Sequence, residues 1–320
     1  MSLSSTDPDS TALFAAIRAG KPDDVAAMLR RRPDLVRAQD PDGQLAIHAA
    51  AECNDPVIGA LLIAHGADPD ATFGNSAHTA MSWAVTCNAP EFARMLVTLG
   101  RTPDLFCAAG MGSLDAVRAH FDASGALRPA ASKTGSSRYA TDGTRLVCPP
   151  ETPREQLSDA LYIACRNAHA DVVRFLLTKH PDLTFKAYNG ATALHWAHFG
   201  GSPAIVEMLD AAGADAGALD DALGCTPRVF GVSTLANWGF AAILKRRLDA
   251  DPSLATAFDG HTSPLHQAAR GGNVPCAKLL LDRGANPALQ DERGKTPIQI
   301  AVERRDEAMR ATLEGRSPMG

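Results

Sequence analysis

The chain has 320 residues, 45% of them hydrophobic and only 5% aromatic, with a formal net charge of −5. That hydrophobic fraction excludes a wholly disordered chain, and the mild acidity argues against a general nucleic-acid binder, since the one dense basic run, Arg30-Arg31-Arg32, falls at a helix end where cations complement the macrodipole. The length would overfill a single hydrophobic core, but it suits an array that grows by adding like units.

From the N-terminus, MSLSSTDPDS holds neither a basic nor an apolar run, so no secretory signal is predicted, and no later apolar run is long enough to span a bilayer. Short helix pairs are predicted over 11–121, the first of them ending in RRPDLVRA. The stretch 122–157 is rich in Ser, Thr, Gly, Pro and Arg, which predicts a long loop or flap in place of another helix pair. Helix pairs resume over 158–315, and 190–215 shows their pattern most clearly. Thr192 is placed to cap a first helix by accepting from an orphan backbone N–H, and Leu194 and Ala197 supply its apolar face. A turn falls at Gly200-Gly201. Ile205, Met208, Leu209 and Ala212 then recur at helical spacing, and Gly213 stops the second helix. In a later pair, GVSTLANWGFAAIL adds about one helical turn, with Trp238 in the added piece. The last pair carries ERRDEAMRATLEG, whose charges suit a layer facing water.

The same signals recur in register: TALHWA, SPLHQAA and KTPIQIA open first helices, and HGADPD, AGADAG and RGANPA close second ones. They resemble the T-P-L-H-x-A and G-A-D motifs of the ankyrin-repeat family, and the resemblance covers nearly the whole chain. It implies an all-α fold, a solenoid of stacked helix-turn-helix units joined by short hairpin loops. With the family's His position as marker, the series is Phe14, His48, Ser82, Phe106, Tyr162, His195, Val229, His266 and Gln299, with spacings of 34, 34, 24, 56, 33, 34, 37 and 33. That makes nine repeats in one solenoid: one to four over about 11–121, the insertion over about 122–157, and five to nine over about 158–315.

The resemblance assigns His48, His195 and His266 a structural role, bonding the capping hydroxyl and the next loop. His195 and His198 have the spacing for a shared metal, but no carboxylate or thiolate joins them, so neither a metal nor a cofactor is expected. No catalytic signature appears either. The seven cysteines, Cys53, Cys87, Cys107, Cys148, Cys165, Cys225 and Cys276, contain no C-x-x-C pair, which suggests free thiols in a reducing, cytoplasmic setting. Trp83 and Trp196 follow the His slot and are expected between helices. Ankyrin proteins recognise partners with their hairpin tips and with the residues before the inter-helix turn. Here those slots hold Gln44, Glu52, His78, Cys87, Met111 and Arg166, then Asn167, Tyr188, Phe199, Arg270 and Arg293. The expected function is a scaffold that binds a protein partner through its concave face, with no role for nucleic acid or membrane. The alternative is an enzyme or small-ligand binder whose site lies at the interrupted fourth repeat under the 122–157 insertion.

Overall fold

Many of the helices open with proline, at first-turn positions whose N–H has no intrahelical partner, and a residue of positive φ closes the turn inside each pair. The computed structural model describes residues 7–72, 78–139, 145–146 and 152–315, and within them eighteen α-helices form nine pairs. Each of the nine marker residues sits in the first helix of a pair, so the chain is an all-α succession of helix-turn-helix units. No helix among the described residues is long and apolar enough to cross a membrane.

The chain divides into two compact units, Met1–Asp182 and Leu183–Gly320. In the first, the pairs are α1 (Pro8–Arg18) with α2 (Pro22–Arg31), α3 (Ala46–Glu52) with α4 (Pro56–Ala64), α5 (Ala80–Thr86) with α6 (Pro90–Thr98), α7 (Leu105–Gly110) with α8 (Leu114–Ala119), and α9 (Pro153–Arg166) with α10 (Ala170–Leu177). First helices stack on first helices, α1 on α3, α3 on α5, α5 on α7 and α7 on α9. Small residues allow the close approach: Ala50 and Ala51 are fully buried, and a Cβ on Gly110 would meet Val85 at 2.1 Å and Ile163 at 2.8 Å.

The second unit repeats the plan with α11 (Ala193–Gly200) and α12 (Pro203–Ala211), α13 (Pro227–Trp238) and α14 (Ala241–Ala250), α15 (Pro264–Gly271) and α16 (Val274–Leu281), and α17 (Pro297–Glu303) and α18 (Glu307–Leu313). Here α11, α13, α15 and α17 stack in series, and Gly231 lets α13 lie against the backbone of His198, which a Cβ would meet at 2.7 Å. The twelve-residue α13 contains the added turn, with Trp238 as its last residue.

The insertion departs from the expected loop. Its last five residues are helical, because Thr152 and Glu155 form a capping box that starts α9 at Pro153. Residues 131–137 form an anchored ribbon in place of a free flap. Asp104 caps α7 through Cys107 N–H (2.9 Å) and also accepts from the amides of Lys133 and Thr134 and from the Thr134 hydroxyl. Ala131 O accepts from Leu105 N–H, and Asp159 on α9 accepts from Ser136 N–H at 2.7 Å. The ribbon's hydroxyl residues Ser132, Thr134, Ser136 and Ser137 are buried. Beyond it, Arg138–Tyr139 and Arg145–Leu146 pair as two short antiparallel strands, and residues 140–144 and 147–151, Cys148 among them, lie outside the described residues.

Candidate interaction surface

The turn-forming chemistry of one residue type sets the hairpin tips. In the second unit Asp220, Asp259 and Asp291 each fold a carboxylate back onto the amides that follow. Asp220 accepts from Ala222 and Leu223, Asp259 from His261 and Thr262 (both 3.0 Å), and Asp291 from Arg293 and Lys295 (both 2.9 Å). Burial would raise the Asp291 carboxyl, but these amides and Arg270 outweigh it and hold the pKa below its ordinary value. Three rigid tips in register enclose a cleft of about 440 Å³, walled by Asp221, His261, Glu292 and Arg293 and floored by Asn237, Gln267 and Arg270 from the first helices. The tips are tied together: Glu292 N–H donates to His261 O (2.9 Å), and the His261 ring meets the Glu292 carboxylate at 2.7 Å, a contact that raises the imidazole pKa. Arg270 donates to Thr262 Oγ1 (3.2 Å) and to the buried carboxylate of Asp291 (2.5 Å).

Beside this polar cleft stands an aromatic cluster. Fully buried Trp196 is its centre, edge-on to Phe199 (5.2 Å between ring centroids) and Phe230 (5.1 Å), with Tyr188 and Trp238 about its rim at 6.1 and 6.2 Å. Phe240, 43% exposed, lies edge-on to Trp238, and Ile243 on α14 is 42% exposed. The cleft and the cluster adjoin. Asn237 and Trp238 are neighbours in chain, and Asp221 of the cleft donates its amide to Asn189 O beside Tyr188.

Sequence reasoning picked out Arg270, Arg293, Tyr188 and Phe199 here, and Tyr188 and Phe199 turn out half-buried in the cluster instead of fully displayed. It missed His261, Glu292, Asn237 and Asp221. The residues just after each hairpin aspartate would have found three of them, because tips of successive repeats fall side by side.

In the first unit the predicted recognition slots are largely occupied by internal bonds. Gln44 is buried and donates to Glu52, itself exposed, at 2.9 Å. His78 is buried, with Ser82 Oγ and Ser137 Oγ each 3.3 Å from a ring nitrogen, so its side chain helps hold the ribbon. Asn167 is buried and donates to Val85 O and Gly110 O, both at 2.9 Å, bonding three consecutive repeats. In all three the side chain is engaged inside the chain, Gln44 with a carboxylate, His78 with two hydroxyls and Asn167 with two backbone carbonyls, where the sequence reading expected residues displayed to a partner. Met111 and Arg166 are half-buried, and burial pushes the half-buried Cys87 thiol up to about 12. The six described cysteines are free thiols, Cys53 alone being exposed. Trp83 is half-buried against His78.

The marker histidines lie wholly inside. His195 Nδ1 accepts from the Thr192 hydroxyl (2.8 Å) and amide (3.2 Å), and its Nε2–H donates to Cys225 O of the next hairpin (3.1 Å). Thr192 and His195 thus close a capping box at the start of α11, with the imidazole bonded to the capping residue. His266 repeats the arrangement with Ser263, Leu289 O and Lys295 O, and His48 donates to His78 O at 3.2 Å. Burial lowers all three pKa values, that of His48 to about 4, so they are neutral near pH 7.

Comparison with known proteins agrees with this geometry. The family description for ankyrin repeats in three copies matches residues 12–106 and 143–220, and that for ankyrin repeats in many copies matches 248–301. The tyrosine-protein kinase HTK16 of Hydra vulgaris is 31% identical over 152 residues, 46% of this chain and 19% of that protein. A probable E3 ubiquitin-protein ligase, XBOS33 of Oryza sativa subsp. japonica, is 34% identical over 133 residues, 40% of this chain and 25% of the other. The human B-cell lymphoma 3 protein is 29% identical over 150 residues, 46% and 32% of the two chains. The matched stretch is a third or less of each of these relatives.

Proposed function

Because the chain belongs to the ankyrin-repeat family, whose repeats generally mediate protein–protein interaction, we propose that it is a protein-binding scaffold, taking its partner on the face formed by first helices and hairpin tips. The observation that carries this reading is the cleft of the second unit. Its walls are polar and tied in register, it is open to solvent, and an exposed aromatic ledge adjoins it, an arrangement of apolar anchor and polar rim suited to a protein surface. Small-ligand pockets, by contrast, are mostly apolar and enclosing. The similar proteins are a kinase, a probable ubiquitin ligase and a lymphoma protein by name, so their likeness to this chain supports a shared repeat module and no common reaction. The alternative, a covered site at the fourth repeat, has less support, since the ribbon 131–137 is itself bonded to repeats three, four and five. In this reading the protein acts in the cytoplasm.

The test is retention of a partner from native lysate by the immobilised full chain. Wild type and Glu207→Ala, an exposed change on α12, should retain the same protein, and Arg293→Glu and Phe240→Ala should lose it. Retention indifferent to both cleft changes would put the working surface elsewhere.

A further inference from the structure

The carboxylates around the cleft are engaged within the chain: Asp221 pairs with Lys186 (2.5 Å) and Asp291 with Arg270 (2.5 Å), Glu292 meets the His261 ring (2.7 Å), a pair that is ionic when the imidazole is protonated, and Asp220 and Asp259 accept from the amides of their own tips. Arg293 on the wall is exposed and, among the described residues, has no ion-pair partner. Arg270 uses two donors on Thr262 and Asp291, and a guanidinium has five. In a chain of net charge −5, the surface toward repeats eight and nine therefore offers a guanidinium without an ion-pair partner, while toward repeat seven it offers Phe240 exposed beside half-buried Trp238.

Resting on the scaffold reading above, we propose that this surface is the docking groove for an extended segment of the partner, carrying one bulky apolar side chain and, about five or six residues away, one or more carboxylates. The spacing follows from geometry. The ledge and Arg293 are up to two repeat steps apart, packed helices lie about 10 Å apart, and an extended chain advances about 3.4 Å per residue. The apolar side chain packs on Trp238 and Phe240. The carboxylate accepts from Arg293 and from the donors that Arg270 has left, as charge-assisted bonds in a partly desolvated cleft. The tips tied by Glu292 and His261 need no rearrangement, so little ordering cost falls on the scaffold side.

The experiment pans a displayed library of random peptides, about twelve residues long, on the immobilised full chain. Enriched sequences should pair an aromatic or large aliphatic residue with Asp or Glu at that spacing. A synthetic peptide of the enriched sequence, read by fluorescence anisotropy, should bind Arg293→Glu about tenfold or more weakly, bind Phe240→Ala about tenfold or more weakly, and bind Glu207→Ala as it binds wild type. Replacing the peptide's acid by Lys should restore binding to Arg293→Glu. Both protein changes are at exposed side chains, and unchanged thermal unfolding of each variant separates lost contact from lost fold. Enrichment of basic or uncharged sequences, or equal enrichment on Arg293→Glu, overturns the proposal. No enrichment, with a lysate partner still lost on Arg293→Glu, also overturns it: the scaffold reading then stands and the occupant is a folded surface. If neither peptide nor partner responds to the cleft changes, both readings fall.

Discussion

Ala168 and Arg305 hold φ of 62° and 57° at inter-helix turns, where Gly20, Gly112, Gly201, Gly239 and Gly272 fill five of the equivalent places and Asn54 and Asn88 two more. A Cβ in the left-handed region costs about 1–2 kcal/mol, and glycine returns part of that gain as unfolded-state entropy. Ala168→Gly should therefore stabilise the chain by about 0.5 kcal/mol in urea unfolding, whereas Gly112→Ala should destabilise it, since a Cβ there would also stand 2.4 Å from the His169 ring. The buried histidines make the fold acid-sensitive. With its folded pKa lowered to about 4 from 6.5, His48 stays neutral in the native state while the unfolded chain takes up a proton below 6.5. Its contribution is complete above that value and is lost as the pH falls toward 4, on the order of 3 kcal/mol in all. Urea midpoints between about pH 7 and about pH 4.5 should fall less steeply in His48→Gln than in wild type, by the uptake of about one proton. An equal slope would mean that His48 is protonated in the folded chain.

Among the elements, Asp104 holds more than its own helix. Its carboxylate serves α7 through Cys107 and the ribbon through Lys133 and Thr134, so Asp104→Ala should cost about 3 kcal/mol and should abolish hydrogen-exchange protection of the Thr134 and Ser136 amides. Protection surviving in that variant would show that Asp159 and the buried hydroxyls suffice. Thr152→Ala, which removes half of the α9 capping box, should cost about 1 kcal/mol and fray α9 from Pro153. The helix pairs were legible in the sequence because each is written locally, in a cap, an apolar stripe and a stop within about thirty residues. The ribbon was not, because Ser132, Thr134, Ser136 and Ser137 have the composition of an exposed loop, and only partners elsewhere in the chain bury them. The site was half legible for a related reason. The slot four residues beyond the marker places Arg270 on the cleft floor, yet it also holds Arg18, bonded to Asp40 at 2.8 Å, and Glu52, bonded to Gln44 at 2.9 Å. The position is a hairpin clamp in all three, Arg270 through Asp291, and whether it also lines a cleft depends on what the neighbouring hairpins offer.

At the scale of the whole molecule, stability in stacked repeats is a sum of nearest-neighbour terms, so each unit should open over a narrow range of denaturant. The thiols report this without added probes. In native protein Cys53 should react fastest with a thiol reagent and Cys87 slowly, while Cys107, Cys165, Cys225 and Cys276 should stay protected. As urea rises, Cys107 and Cys165 should become reactive together, and likewise Cys225 and Cys276. Exposure of Cys107 well before Cys165, followed by mass spectrometry, would divide the first unit at the ribbon. The ribbon also bears on the order in which the chain finds its structure. The imidazole bonds from His48 and His195 to the next hairpin bridge 30 residues, but that between His78 and Ser137 bridges 59. Closing a loop twice as long costs only about 0.6 kcal/mol at equilibrium. In time the difference is larger, since a distant contact forms only after the nearer ones have shortened the search. Repeats three to five should thus be the last part of the first unit to lock, as a late refolding phase that Asp104→Ala removes and no change in the second unit touches.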